Sequence, residues 1–427
     1  MAGLRASWGT PAGRGFILLA IMSVAFGLSM SLQESIVTNY FEDELGLEGP
    51  QFGYITAIRE VPGFLLIFIT ALFYRLSLQR LTALALVLFS VGMVLFSTAT
   101  SFWTVAPWVV LTSIGYHTVL QTNAALGMTL TVEARSGRIL GTMGAIRGGG
   151  SLAALSLALV AFHYDWLSFD GAYYLAACCG LIAAAAVFWF PHLYDGEARA
   201  IAPKRAPMVW RREYKYYYLL NMLDGARQQI LFSFGLWVLV DQFDLGVSQI
   251  SALLLSVTAL TILTSQRIGH LVDVHGERRM LSLVNVGYVV ALLGYAVAGN
   301  VWVAAFCYLI YYFIFPLSSI GAATYLRKVA VYDDIAPSLA MGLTLQHLSA
   351  IVVPVTTGVI LNYVSYRIPF LIAVGFAFVT FFVTRRLDPV TQKSPRRIAQ
   401  ERAASVEFPV RSVQVTVKTP VGASPRL

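Results

Sequence analysis

Apolar residues run along this chain in stretches of about 20, separated by short polar intervals, and twelve such stretches can be read off. A helix of that length crosses the roughly 30 Å of hydrocarbon in a bilayer. The predicted spans cover residues 16–38, 51–73, 81–98, 103–130, 137–162, 171–190, 215–240, 249–268, 280–299, 302–326, 338–364 and 368–384. The first has no small-residue cleavage site after a short apolar core, and further spans follow it. It therefore reads as an anchor that stays in place. The pattern predicts an all-α membrane protein.

Composition agrees. The chain is 57% hydrophobic and 12% charged, against roughly 25% charged in soluble domains. Charge adds an orientation. With both termini placed in the cytoplasm, 26 of the 30 Lys and Arg fall in cytoplasmic segments, while Glu42, Asp43, Glu44, Glu48, Asp165, Asp170, Asp241 and Asp244 fall outside. Basic residues in short loops stay inside, so the predicted location is a plasma (inner) membrane. The net charge of +8 reads as a topology and lipid-headgroup signal, with no need of nucleic acid. Expected segments are a cytoplasmic N-terminus (1–15), a six-helix bundle (16–190), a cytoplasmic linker (191–214), a second six-helix bundle (215–384) and a disordered basic tail (385–427). Cys178, Cys179 and Cys307 lie within spans without disulfide or metal-ligand spacing. No metal and no cofactor are expected.

The segment GHLVDVHGERR, residues 269–279, joins the eighth and ninth spans. Its Gly269, Leu271, Asp273, Gly276, Arg278 and Arg279 resemble the cytoplasmic loop signature of the major facilitator superfamily. A weaker copy, TALFYRLSLQR (70–80), lies 199 residues earlier and keeps Leu72, Arg75 and Arg80. The resemblance covers about residues 15–385. It implies twelve transmembrane helices in two pseudo-symmetric six-helix bundles that rock about a central site. It also gives Gly269, Asp273, Gly276, Arg278 and Arg279 a gating role, with Asp273 facing a helix N-terminus near Ser136. Two family patterns are imperfect. In GTMGAIRGGG (141–150), Gly144, Gly148 and Gly149 fit an antiporter motif, but Ala145 replaces its proline. The glycines also fit a plain close-packing face. The fourth span has His117 and Gln121 where many proton antiporters carry an arginine.

Polar groups inside the spans carry the chemistry. An ionised residue at a helix centre costs about 2.5–3.5 kcal/mol on insertion scales, so such residues persist where they face protein or water. In the first span Ser23, Gly27, Ser31, Glu34 and Thr38 recur at helical spacing, and Glu34 lies at the depth of Arg59 in the second. Glu34 and Arg59 are expected to pair, leaving Glu60 turned towards the cavity as the proton carrier. In the seventh span Asn221, Asp224, Gly225 and Gln228 share a face, and Asp224 is three residues from Arg227. Ser113, His117 and Gln121 share a face of the fourth span, and Tyr311 and Tyr312 lie on the tenth. Arg147 and Gln346 occupy matching places in the two halves, with His347 beside Gln346.

The expected substrate-binding set is therefore His117, Gln121, Asn221, Asp224, Arg227, Gln228, Tyr311, Tyr312, Arg147, Gln346 and His347. The expected coupling set is Glu60, Glu34 and Arg59. Together they imply a secondary active transporter of a small polar or anionic organic solute, coupled to protons, acting as a monomer. A drug or metabolite efflux antiporter, and a transporter-fold sensor or scaffold working through the tail, are the alternatives. The chain is not expected to be an enzyme or an ATP-driven pump, because it has no G-x-S-x-G, no H-E-x-x-H and no phosphate-binding loop.

Overall fold

The computed structural model describes residues 10–65, 76–130, 136–191 and 210–407, of which 136–138, 265–273, 332, 336 and 403–407 are described by backbone alone. Among the described residues twelve long helices follow one another: α1 (Pro11–Asn39), α2 (Gly49–Phe64), α3 (Leu78–Phe96), α4 (Phe102–Thr129), α5 (Ser136–His163), α6 (Phe169–Phe188), α7 (Lys215–Asp241), α8 (Val247–His275), α9 (Glu277–Ala296), α10 (Val301–Val329), α11 (Tyr332–Tyr363) and α12 (Arg367–Arg385). A thirteenth, α13 (Pro395–Glu407), lies in the tail.

Local chemistry sets the helix ends, which often lie beyond the apolar stretches. Thr10 caps α1 by accepting the Gly13 N–H at 3.1 Å, with Pro11 at the first helical position. Ser77, Ser168 and Asn300 cap α3, α6 and α10 in the same way. Helix α8 runs on to His275, well past the predicted end at 268, because only Gly276 turns the chain, at φ +76°. A side chain there would be strained.

Packing repeats with a step of six helices. In the first half α1 packs on α5 and α6, and α3 on α4 and α6; in the second, α7 packs on α11 and α12, and α9 on α10 and α12. The most extensive contacts between the halves are those of α2 with α11 and α5 with α8.

The ends of the helices that carry the acidic loops are closed. Ideal Cβ atoms at Gly53 and Gly358 would lie 2.5 Å from the Pro354 carbonyl oxygen and 2.3 Å from that of Gly49, so α2 and α11 touch backbone to backbone. Phe52 stacks on Trp237 at 4.4 Å and meets Phe234 edge-on. The Asn39 amide donates to the Leu245 carbonyl at 2.9 Å, and the Ser248 hydroxyl to that of Leu159 at 3.1 Å. Towards the basic ends, Gln121, Gly144, Gly149, Ser319, Leu339 and Leu343 are exposed. The space between the halves therefore opens at the basic end.

The tail departs from the expectation of disorder. The Ser394 N–H donates to the Val329 carbonyl at 2.9 Å, and Arg396, Arg211 and Tyr214 converge on Asp334 at 3.3, 2.7 and 2.9 Å. Asp334 lies in the first turn of α11, where the helix dipole also favours an anion. One buried carboxylate thus ties linker and tail to the bundle. Residues 408–427 lie outside the described part.

Candidate functional site

Two polar clusters sit within the helices. The first spans the halves. Pro62 lies inside α2 within a turn of Arg59 and Glu60. Glu60 is 8% exposed, and its two carboxylate oxygens have different partners. Arg59 reaches Oε1 through Nε and Nη2, both at 3.3 Å. Oε2 faces His347 Nδ1 of α11 at 3.2 Å and His117 Nε2 of α4 at 3.9 Å. The two imidazoles meet edge to face, with centroids 5.4 Å apart. They fit against α2 only because residue 63 is glycine: a Cβ there would lie 2.6 Å from His117 Nε2 and 2.8 Å from His347 Cε1.

Ser113 orients this cluster. Its hydroxyl donates to the Arg59 carbonyl, so its oxygen accepts from His117 Nδ1 at 3.0 Å, and the Ser113 carbonyl lies 3.0 Å from the same nitrogen. His117 therefore carries its proton on Nδ1 when neutral and turns the Nε2 lone pair to Glu60.

The second cluster lies within the second half. Arg227 is fully buried. It donates to Asp224 Oδ1 at 2.7 Å, to Asn285 Oδ1 at 3.1 Å and to the Tyr311 hydroxyl at 3.2 Å, with its guanidinium 3.7 Å above the Tyr288 ring. The Ser318 hydroxyl donates to the other Asp224 oxygen. Beside the cluster is a cavity of about 210 Å³ lined by α7, α10 and α11, with Tyr217, Asn221, Asp224, Phe315, Ser319 and Gln346 supplying aromatic and polar surface.

Comparison with known proteins bears on this geometry. The model described as Major Facilitator Superfamily matches residues 217–422. The structure superposes on the nucleoside transporter NupG with a TM-score of 0.71 and 15% identity, over 88% of this chain and 100% of that one. A mutant of NupG gives 0.72 and 14%, over 87% and 98%. A bacterial homologue of the human lysosomal transporter Spinster, inward-facing and unoccupied, gives 0.68 and 12%, over 91% and 99%. A search of curated proteins gave no match. The second half of the chain thus matches the major facilitator superfamily, and the whole chain shares its fold with these transporters.

The shared fold accounts for the helix order, and the long apolar helices make this an integral membrane protein. Within that fold the residues singled out in the sequence fall into three groups. His117 and His347, expected to bind substrate, join Glu60 and Arg59 in one cluster. Asn221, Asp224 and Gln346 line the cavity, and the Gln346 amide donates to Gln228 at 3.0 Å. Arg227 and Tyr311 depart from the expectation: both are 0% exposed and bonded to each other, so neither offers a group to a solute. Tyr312 stacks on Phe232 at 4.2 Å. Gln121 is exposed and Arg147 half-buried.

The expected Glu34–Arg59 pair does not form. Arg59 turns to its own neighbour, and Glu34 makes no ion pair among the described residues. Glu34 lies deep in the fold yet accessible, on the wall of the internal space, where the charges of Arg59 and Arg147 reach it. The rest of its stripe is packed, with the Ser23 hydroxyl on Met143 and Gly27 against the Arg147 carbonyl. Gly144 and Gly149 have nothing within 4 Å of an added Cβ and do not form the packing face their spacing suggested. In the gating motif, Gly276 turns the chain, while the side-chain positions of Gly269 and Asp273 lie outside the described residues. Sequence reasoning missed Asn285, Ser318 and Tyr288. Asn285 and Tyr288 are three residues apart on α9, and Ser318 lies two turns beyond Tyr311 on α10, so helical spacing was a signal that could have found them.

Proposed function

We propose that this chain is a secondary active transporter that carries a small polar or anionic organic solute by alternating access and couples the movement to protons. The observation that carries the reading is the Glu60–His347 contact, which joins α2 of one half to α11 of the other beneath the closed acidic end. In a rocking mechanism this contact forms in one state and parts in the other. Glu60 then has different neighbours in the two states, and a carboxylate whose neighbours change has a state-dependent proton affinity. Protonating Glu60 removes the anion that holds Arg59 and faces both imidazoles, which frees the halves to part.

The cavity supports a polar solute. Asn221 and Gln346 offer amides, Tyr217 and Phe315 offer rings, and Asp224 is already held by Arg227 and Ser318. Exposed Arg59 and half-buried Arg147, against Glu34, leave a positive balance on the accessible wall. That balance favours a neutral or anionic solute over a lipophilic cation. A nucleoside combines a ring with several hydrogen-bonding groups and is therefore a reasonable first substrate to try, as the name of one structural neighbour also suggests.

The test uses proteoliposomes loaded at one pH and diluted into another. Wild-type protein should accumulate solute along the pH gradient. Glu60→Gln should keep solute exchange and lose accumulation. Undiminished pH-driven accumulation by Glu60→Gln would move the coupling role to Glu34 or Asp224.

A further inference from the structure

We propose that Glu60, His117 and His347 form a site for a divalent transition-metal ion of the zinc type, complete only while the acidic ends of the two halves are closed. The ion would bridge α2 and α4 of one half to α11 of the other and lock this conformation.

The donor set and its geometry carry the inference. One carboxylate oxygen and two imidazole nitrogens lie within 4.8 Å of one another. Two of the separations are 3.2 Å and 3.9 Å. Zinc bonds of 2.0–2.2 Å in a tetrahedral shell put neighbouring donors about 3.3 Å apart, so a small inward movement completes the triangle. Two imidazoles and a carboxylate are a donor set that zinc accepts with a fourth position left open. The residues come from positions as far as 287 apart in the chain, so sequence spacing gives no hint of the site.

The surroundings are those of a ligand shell. Ser113 fixes the His117 tautomer and leaves Nε2 unprotonated in the neutral ring. Metal-bound imidazoles are oriented in the same way, through a hydrogen bond to the other ring nitrogen. The Nε2 lone pair then faces the Glu60 carboxylate, two acceptors with only a positive species to reconcile them. Arg59 occupies Oε1 and leaves Oε2 to the ion. Its charge opposes a dication, but the side chain is 46% exposed and solvent weakens that repulsion. Glu60 and His117 are buried, and His347 is 17% exposed, which leaves one side open for entry.

Because His347 stands on the opposite half, an ion held here opposes the separation that transport requires. Zinc should therefore stabilise the protein and slow turnover. This does not depend on Glu60 carrying protons.

The test is thermal unfolding of the purified full-length chain, stripped with a chelator and returned to zinc chloride, with magnesium chloride as the control. Zinc should raise the wild-type midpoint by several degrees and magnesium should not. Glu60→Gln, His117→Gln and His347→Gln should each lose the shift, while Glu34→Gln keeps it. His347→Cys, which restores a zinc ligand, should recover it. Cobalt in place of zinc should give a visible d–d band with wild type and none with His347→Gln. Absence of a zinc shift in wild type, or a shift that survives all three Gln variants, overturns the proposal.

Discussion

The Arg227 and Glu60 clusters both bury charge within the helices, yet they are built differently. Every partner of Arg227 belongs to its own half, on α7, α9 and α10, and the guanidinium is enclosed. Glu60 takes one partner from its own helix, one from α4 and one from α11 across the interface, and its arginine is half-exposed. A saturated cluster within one half has no reason to change when the halves rock, and holds that half rigid. Under the proposed alternating access, a cluster shared between halves must change.

The largest effect should come from breaking the closed cluster. Arg227→Ala strands the Asp224 carboxylate and should cost about 3–5 kcal/mol, seen as loss of monodisperse protein and a lower unfolding midpoint. Asn285→Ala removes one of its bonds and should cost about 1–2 kcal/mol. If Arg227→Ala were as stable as wild type, the contrast between the clusters would fail.

Next comes the crossing of α2 and α11. Gly358→Ala drives a methyl into the Gly49 carbonyl and should cost about 1–3 kcal/mol while favouring the open acidic end. Increased labelling of a cysteine at Gln51 from that side would register the opening. Gly63→Ala should displace both imidazoles and abolish a zinc shift while leaving the Arg227 cluster intact. By contrast, Glu34→Gln removes no ion pair and should change stability by less than about 0.5 kcal/mol.

The smallest effect lies in the tail. Hydrogen bonds from Lys393 and Arg397 hold the Glu401 carboxyl below its usual range. A lowered folded-state value means that this contribution is present above the ordinary carboxylate range and disappears as pH falls through the lowered value. Proteolysis of α13 should therefore quicken only in acid, with no change at neutral pH.

Much of the fold was legible because membrane helices announce themselves by length and apolarity. Nine of the twelve long helices have the length and apolar composition to cross a membrane among the described residues; the other three are α2, α4 and α7. Those three carry Arg59 and Glu60, His117 and Gln121, and Asn221 to Gln228. In α4 and α7 polarity weakens the span signal and marks the site, whereas α2 is described over only 16 residues. Which charges meet was not legible. Depth along two helices brought Glu34 and Arg59 to one level, but rotation about each axis decides contact. Arg59 reached the adjacent Glu60 instead. Likewise, composition read the tail as disordered, although Asp334 offers three partners a place to dock.

The central claim is that the halves are joined at the acidic end in this state and must part there for transport. Asn362 Cβ lies 3.5 Å from the ideal Cβ position of Gly49, within reach of a disulfide. In a background lacking Cys178, Cys179 and Cys307, the Gly49→Cys, Asn362→Cys double variant should cross-link on mild oxidation. Solute flux in proteoliposomes should then stop, and return on reduction. Full cross-linking with undiminished flux would contradict the account.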